Sequence, residues 1–599
     1  MVTYENGAIL VTCPAYEETT FDMSSERCAV VADGKGGLTA YRVNDRADNF
    51  VLPFLSLSLY VKNEILNPSS EKTVRMVGRM QEITYTIAGE KIVVTLFLER
   101  ETNGAFFSVR SEGEAFTLAL DLRAVKTMPT QRAATYFEDK EFSLSSSEAM
   151  DWNQEDECFY AENKKEIRFL LSFAEDPAIH KAAFADFDKK YALTKTEIAG
   201  VAIPSAVTTE EEKAYYFQSY FAALENFKVA GTFRAFAAGT NYTYPLRTYF
   251  RDSYFTVLCM LSTHPELVRD EILTLARGVA EDGTCPSAVK SDYTAFWNNH
   301  FDSPSLFVLE IYEYVHQTGD IAILSAKIGE RTLLDVAVRV MARLLDIADP
   351  KTHLLKKEVD HDRRDWADEV NRGGYVTYVE ALYVRALKAI RELLDKTGTR
   401  IEKPDFWWMA AIAKDHLNSY LFDNELGYYH NYFACCDKDE SNLSIDTVFT
   451  VLFGIADERQ TKLVLDSMEE TLESGNNPDM AEDFGAMCVY PPYKTAGVAV
   501  HKSARPFDYH NGANWPFLTA IYAYAKALDG REWRDVLLAP FRYNVKRGVY
   551  TAVEYFSPYC KTGSSLQAWS SAAAFVYQWV GKKNIFIIGE EKKNDPFQS

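Results

Sequence analysis

Five of the ten residues in Asp360-His361-Asp362-Arg363-Arg364-Asp365-Trp366-Ala367-Asp368-Glu369 are acidic, and a tryptophan stands among them. Calcium binding is one chemistry such a segment suggests. An EF-hand loop needs oxygen ligands at alternate positions and glycine at the sixth, yet Arg364 falls on the third ligand position and Asp365 on the glycine. Acid catalysis fits better. A carboxylate pressed against an indole is poorly solvated, so its pKa rises and it keeps a proton near neutrality, ready for a glycosidic oxygen. Asp368 and Glu369 are the candidates, beside the plainer reading of an acidic loop that caps the next helix.

Glycoside hydrolysis normally uses two carboxylates, and a gap of about 6.5–9.5 Å between them admits a water that attacks the opposite face of the sugar and inverts it. Glu554 is the partner on offer. It lies in the aromatic, strand-like stretch Gly548-Val549-Tyr550-Thr551-Ala552-Val553-Glu554-Tyr555-Phe556, where a charge is out of place without a task, although a lone glutamate is more often a salt-bridge partner. A pyranose has an apolar face and a polar rim, and needs aromatic surface and many hydrogen-bonding groups. Tyr244, Tyr249, Trp297, Trp366, Trp515 and Tyr555 can supply the first; Arg251, Asp252, Asp302, His510 and Asn511 can supply the second. Aromatic residues form 14% of the chain, so any single ring is more often core than platform.

Other chemistries leave no comparable signature. GxGxxG, the P-loop, HExxH and GxSxG are absent, which removes the usual marks of nucleotide sites, zinc proteases and serine hydrolases. The 64 Lys+Arg against 86 Asp+Glu give a net charge of −22, which repels phosphate backbones and anionic lipid. The densest basic runs, Lys164-Lys165 and Lys592-Lys593, are short and lie beside acidic residues. Neither nucleic acid nor membrane is therefore expected as a partner. The segment Met1–Glu18 has acidic residues where a secretory leader needs basic ones, and no apolar run approaches the roughly 20 residues of a membrane span. Nine cysteines without CxxC spacing suit reduced thiols and a cytoplasmic setting, with the adjacent Cys435-Cys436 as a redox-active pair or as incidental thiols.

Residues so far apart in sequence need a scaffold to bring them together. Up to about residue 205, short β-branched and aromatic stretches such as Lys91–Leu98 and Phe116–Leu120, cut by turns like Asn103-Gly104, predict an antiparallel β-sandwich. Residues 178–212 are mixed in character, and Thr208-Thr209-Glu210-Glu211-Glu212 marks a helix start. The domain boundary is set there, giving a sandwich with linker at 1–205 and a catalytic helical domain at 206–599. Twelve helices are expected, near 209–228, 250–262, 265–280, 303–318, 320–346, 375–395, 405–420, 444–455, 459–472, 512–528, 530–545 and 565–580. Six hairpins of helices suggest a closed toroid. Polar and aromatic clusters (Tyr244–Asp252, Trp297–Ser303, Trp366–Tyr378, Asn442–Asp446, Phe507–Trp515, Glu554–Gln567) precede alternate helices, which would gather all of them at one end around one pocket.

These clusters, in this order, resemble the amylo-α-1,6-glucosidase or glycogen-debranching group of the six-hairpin glycosidases. Tyr249-Phe250-Arg251-Asp252 is similar to the family's GRD stretch, and Asp302-Ser303-Pro304-Ser305-Leu306-Phe307 with Thr318-Gly319-Asp320 to its DA-x-LWF and TGD passage. Asp365-Trp366-Ala367-Asp368 leading to Val376–Leu382 resembles its TWMD and VEINALW passage, and Tyr509–Pro516 its YHxGxxWP. Glu554 followed by Gly563-Ser564-Ser565-Leu566-Gln567-Ala568-Trp569-Ser570 matches a base glutamate and GxxxQAWS. The resemblance implies an (α/α)6 barrel after a β-sandwich, and an inverting mechanism without metal or cofactor. Asp368 would be general acid and Glu554 general base, with Arg251, Asp252, Trp297, Asp302, Trp366, His510, Asn511, Trp515 and Gln567 around an oligosaccharide. Ala367 and Asn514 depart from the family pattern and point to a reshaped sugar subsite. The same barrel can house a phosphorylase, an epimerase or lyase working through His510, or a carbohydrate-binding protein without turnover.

Overall fold

The computed structural model describes residues 1–599 except 48–49, 63, 66–69, 123–130, 134, 139–141, 174, 358–362, 402–403, 434–441, 560 and 590–599. Asp360, His361, Asp362, Cys435, Cys436, Lys592 and Lys593, singled out above, lie outside the described residues.

Strands between Val2 and Phe173 form two antiparallel sheets, one of ten strands and one of eight. In strands such as Glu71–Val77 and Met80–Ile87, buried side chains alternate with more exposed ones, the period of a sheet covered on one face. The covered faces meet through aromatic pairs that cross between the sheets: Phe54 with Phe173 at 4.8 Å and Phe137 with Phe159 at 4.7 Å between ring centroids. Two helices, Pro177–Ala185 and Phe187–Ala199, follow the last strand, where only a mixed segment was expected. Their anchor is Phe187, whose ring lies 5.5 Å from both Phe97 and Phe106 of the sandwich, a tertiary contact with no periodic trace in sequence.

The helical part starts where its capping signal stands. Thr209 Oγ1 accepts from the Glu212 backbone, and the Glu212 carboxylate accepts from the Thr209 backbone, closing a capping box on Glu210–Leu224. Six helical segments then form an inner ring: Phe250–Met260, Ser303–Thr318, Thr377–Thr397, Ile445–Leu452, Pro516–Leu528 and Ala568–Trp579. Each packs on the next and the last returns to the first, so the ring is closed. The outer helices, Glu210–Leu224, Pro265–Arg277, Leu333–Ile347, Phe406–Leu421, Glu458–Thr471 and Arg534–Lys546, lean on it from outside. This is an (α/α)6 barrel behind an antiparallel sandwich.

Three expected helices are shorter or broken. The stretch 320–346 contains a 3-10 turn (Ile321–Ser325) and a tight hairpin before Leu333–Ile347, because Gly329 takes a left-handed φ of 61° and Thr332 with Asp335 caps the helix late. The segments near 444–455 and 565–580 begin as 3-10 turns, at Ile445–Val448 and Ala568–Ser571. Among the described residues, no helix is long and apolar enough to cross a membrane, and no group of three or more His, Cys, Asp and Glu residues is placed to hold a metal ion.

Candidate active site

At the N-terminal ends of the inner helices the side chains of the expected clusters touch one another. Arg251 Nη1 donates to Asp302 Oδ2 at 2.9 Å, and the Tyr378 hydroxyl reaches the same oxygen at 3.4 Å. The Trp366 indole N–H donates to Asp446 Oδ2 at 2.5 Å, and its ring meets that of Trp515 at 5.6 Å. The Tyr509 hydroxyl donates to Glu554 Oε1 at 3.5 Å, and Gln567 Nε2 donates to Asp252 Oδ1 at 3.1 Å, returning to the first cluster. All six clusters thus contribute to one continuous polar and aromatic wall.

Asp368 follows a rigid turn. Asp365, fully buried, accepts from Lys357 at 2.5 Å, from Arg372 at 2.5 Å and from the Ala367 backbone N–H at 2.8 Å. Burial opposes its charge, but Arg372 and Lys357 prevail and hold it far below the usual carboxylate range. Arg372 also binds Asp446 at 2.7 Å, tying the turn to the next cluster. Asp368 itself receives no such partner. Burial raises its pKa to about 7 against the pull of Arg251, with Glu369, Glu554 and Asp365 adding to the rise. Asp252 is likewise raised to about 7, mainly by burial, with Arg251 opposing.

Glu554 is held differently. Its backbone N–H donates to Ser564 O at 2.9 Å, and its Oε2 accepts from Ser564 N at 3.1 Å. Gly563 permits this closeness, since a Cβ there would lie 2.6 Å from Glu554 Oε2. Burial raises its pKa, while the Ser564 N–H, Lys502 and the Tyr509 hydroxyl lower it. Lys502 was not anticipated from sequence, nor was Tyr242, whose phenol is kept protonated by burial and by the charge of Glu554. Lys502 lies over the Tyr509 ring, 4.7 Å from its centroid, and no motif signals it because the contact is made across a 3-10 turn, His501–Ala504.

The expected binding residues divide by what their atoms do. Trp366 and Trp515 are 3% and 1% exposed, and the Trp515 ring stacks on His510 at 4.7 Å and on Tyr555 at 5.4 Å, so these indoles form the wall more than its surface. Trp297, 58% exposed and 6.1 Å from the Tyr249 ring, stands at the rim. Asn511 spends its amide on backbone, accepting from Tyr493 N at 2.7 Å and donating to Ser503 O at 3.0 Å. His510 Nδ1 lies 3.9 Å from Asp368 Oδ1; burial first, then Arg251 and Arg372, keep the ring neutral. His300, also missed in the sequence, accepts from Arg251 Nη1 at 3.4 Å and is held neutral by burial. Arg251 Nε, Asp302 Oδ1, Gln567 Oε1 and His510 Nδ1 are buried without a hydrogen-bond partner, a costly concentration that sugar hydroxyls could satisfy.

A family model described as amylo-alpha-1,6-glucosidase matches residues 232–576. Among solved structures, a bacterial glucoamylase complexed with acarbose superposes with a TM-score of 0.63 at 12% identity, over 94% of this chain and 94% of its own. A putative kojibiose phosphorylase from human microbiome superposes with a TM-score of 0.53 at 11% identity, over 96% of this chain and 89% of its own. At such identities the likeness concerns the fold alone. No curated protein sequence matches the chain.

Proposed function

The chain belongs to the amylo-alpha-1,6-glucosidase family, an enzyme of the glycosidase-like superfamily, and from that premise we propose that it is an inverting, exo-acting glycoside hydrolase of a glucoside or related oligosaccharide. One observation carries the reading: Asp368, raised to about 7 mainly by burial, lies close enough to Glu554 for that carboxylate's charge to add to the rise. Inversion needs one carboxyl that still holds a proton near neutrality and one whose ionised form is assisted; at Glu554 burial raises the pKa, and the Ser564 N–H, Lys502 and the Tyr509 hydroxyl act against that rise.

Asp368 would give its proton to the glycosidic oxygen as the bond from that oxygen to the anomeric carbon breaks. Glu554 would take a proton from the water that attacks the same carbon from the opposite face. The step leaves Asp368 ionised and Glu554 protonated, and exchange with solvent resets both. Arg251, Asp252, Asp302 and Gln567 would bind the hydroxyls of the terminal sugar, which makes the action exo, and Trp297 would meet the remainder of the chain at the rim. Neutral His510, whose Nδ1 has no hydrogen-bond partner among the described residues, would bind a sugar hydroxyl; with so low a pKa it is a poor proton acceptor, which weakens an epimerase or lyase reading.

Phosphorolysis is the second reading, with which the fold shared with a putative kojibiose phosphorylase is compatible. Glu554 stands against it, because a carboxylate at the position of the nucleophile repels phosphate. Hydrolysis of a panel of α- and β-linked gluco-, galacto-, manno- and rhamno-oligosaccharides, with and without phosphate and with NMR of the fresh anomer, decides between them. Inverted free sugar formed without phosphate, and lost in Asp368→Asn and Glu554→Gln, is the expected result. A retained anomer, strict phosphate dependence or undiminished turnover in either variant overturns it.

A further inference from the structure

The loop that carries Glu554 belongs to the barrel, but its back is touched by the sandwich. Asp22, in the strand Phe21–Ser24, is 6% exposed, and its Oδ1 accepts from the Ser565 hydroxyl at 2.6 Å. The Asp22 backbone N–H donates to Thr551 Oγ1 at 3.1 Å. One sandwich residue therefore grips both limbs of the loop, which Val553 and Ser565 close by an antiparallel bridge. Ser565 is the direct neighbour of Ser564, whose backbone N–H donates to Glu554 Oε2 and whose carbonyl accepts from Glu554 N. From the sandwich to the catalytic oxygen there are only a hydroxyl, one peptide unit and an N–H.

A buried carboxylate is a costly way to hold two domains together, since desolvation penalises it by several kcal/mol unless its partners repay that. Elsewhere the same loop is held by neutral amides, through Gln218 to Tyr550 O at 2.7 Å and Asn226 to Leu566 O at 2.6 Å. The carboxylate stands at Ser565, next to Ser564, where the barrel also reaches: Thr240 Oγ1 lies 3.4 Å from the Ser565 hydroxyl and donates to the Ser565 carbonyl at 3.2 Å. Burial raises the Asp22 pKa, while the Ser565 hydroxyl, Arg42 and the Thr551 hydroxyl act against that rise, so the bond to Ser565 is one of the few that compensate this buried group.

We infer that Asp22 is a positioning residue, which through Ser565 fixes the Ser564 N–H against Glu554, so that the sandwich domain is part of the catalytic apparatus. The inference rests on Glu554 being the general base. Three readouts test it: kcat and KM on a glycoside the protein hydrolyses, backbone hydrogen exchange over 551–567, and the melting temperature of each variant. Asp22→Ala and Ser565→Ala should each lower kcat about ten-fold with KM within about two-fold, the signature of an interaction that matters in the transition state. Exchange should rise over 551–567 and stay unchanged over 363–372. The double variant should be no worse than the worse single one, because both remove one bond. Asp22→Asn, whose amide oxygen still accepts from Ser565, should recover most of kcat.

Ser565→Ala leaves the sandwich untouched and carries the test should Asp22→Ala fail to fold. Wild-type exchange over 551–567 in the single variants, losses that multiply in the double variant, or a loss confined to KM would each overturn the inference. Exchange needs no turnover, so a protein that hydrolyses nothing would refute the role of Glu554 while the tether itself is still decided.

Discussion

The turn that presents Asp368 is anchored by charge, whereas the loop that presents Glu554 is anchored by neutral donors and by a second domain. Around Asp368, the cations Lys357 and Arg372 are neutralised by Asp365 and Asp446, all four nearly inaccessible to solvent. Asp368 is thereby left in a rigid setting without a cation bonded to it, and burial keeps its proton on. Around Glu554, an N–H, a phenol and a nearby ammonium favour the ionised form against burial. The difference teaches how one pocket separates two chemically similar acids: the same scaffold withholds compensation from one and supplies it to the other.

Removing either function should have the largest effect. Asp368→Asn and Glu554→Gln should each reduce kcat by about a thousand-fold or more, the usual range for losing a general acid or base, with melting temperatures no lower than wild type. Steady-state kinetics on the best substrate of the panel measures this, and a variant within ten-fold of wild type would break the asymmetric assignment. The anchoring itself is sharpened by Arg372→Met. It leaves Asp365 and Asp446 buried with too few partners and should cost about 3–5 kcal/mol in denaturant unfolding, where truncating one partner of a buried pair usually falls. The matching change on the other side, Ser565→Ala, should cost about 1 kcal/mol, because a single hydroxyl donor is lost.

That inequality has a counterpart in what sequence can disclose. The segment of Asp368 is legible because its residues are contiguous: Asp365, Trp366 and Asp368 lie within four positions, whereas Lys357 and Arg372, which hold Asp365, carry no motif. Glu554 stands out as a charge among aromatic residues, and the helices before and after it are legible from their period, with ends a few residues off: the one expected at 530–545 runs Arg534–Lys546. What supports Glu554 was not legible, since Asp22 is 543 residues from Ser565 and Lys502 comes from a short turn without periodicity. Trp366 and Trp515 lie among the side chains of the expected clusters, but a ring's type does not tell whether it is open to a ligand or packs on a neighbour; their burial does. Asn511 carries the same lesson, because its amide is consumed by backbone groups that no local pattern exposes.

Burial raises the pKa of both carboxylates, but their proposed roles set opposite limbs of a pH profile. The proposed mechanism requires Asp368 protonated and Glu554 ionised, so kcat/KM should form a bell whose alkaline limb lies near pH 7 and whose acidic limb lies above the ordinary carboxylate value. For stability, the folded pKa of Asp368 is raised above its unfolded value of 3.8 to about 7. Its contribution is therefore full below about pH 3.8 and is lost progressively as pH rises to about 7. Asp368→Asn should consequently gain melting temperature relative to wild type at pH 8 but not at pH 4. An equal difference at both values would mean that Asp368 is not held in its protonated form.

The smallest effect tests whether the neutral donors around Glu554 act singly or together. Tyr509→Phe removes only the hydroxyl that reaches Glu554 Oε1 at 3.5 Å and leaves the ring packed against Trp515 and Tyr555. A long hydrogen bond of this kind contributes about 0.5–1 kcal/mol, so kcat should fall about two- to five-fold. Because the phenol stabilises the ionised carboxylate, its loss should also move the acidic limb of the profile upward while the alkaline limb, set by Asp368, stays in place. Movement of both limbs would show that Tyr509 acts on the two carboxylates alike, and the separation of their environments would then be narrower than the hydrogen bonds indicate. Movement of the acidic limb alone would leave the Ser564 N–H, fixed from the sandwich, as the main support of the base.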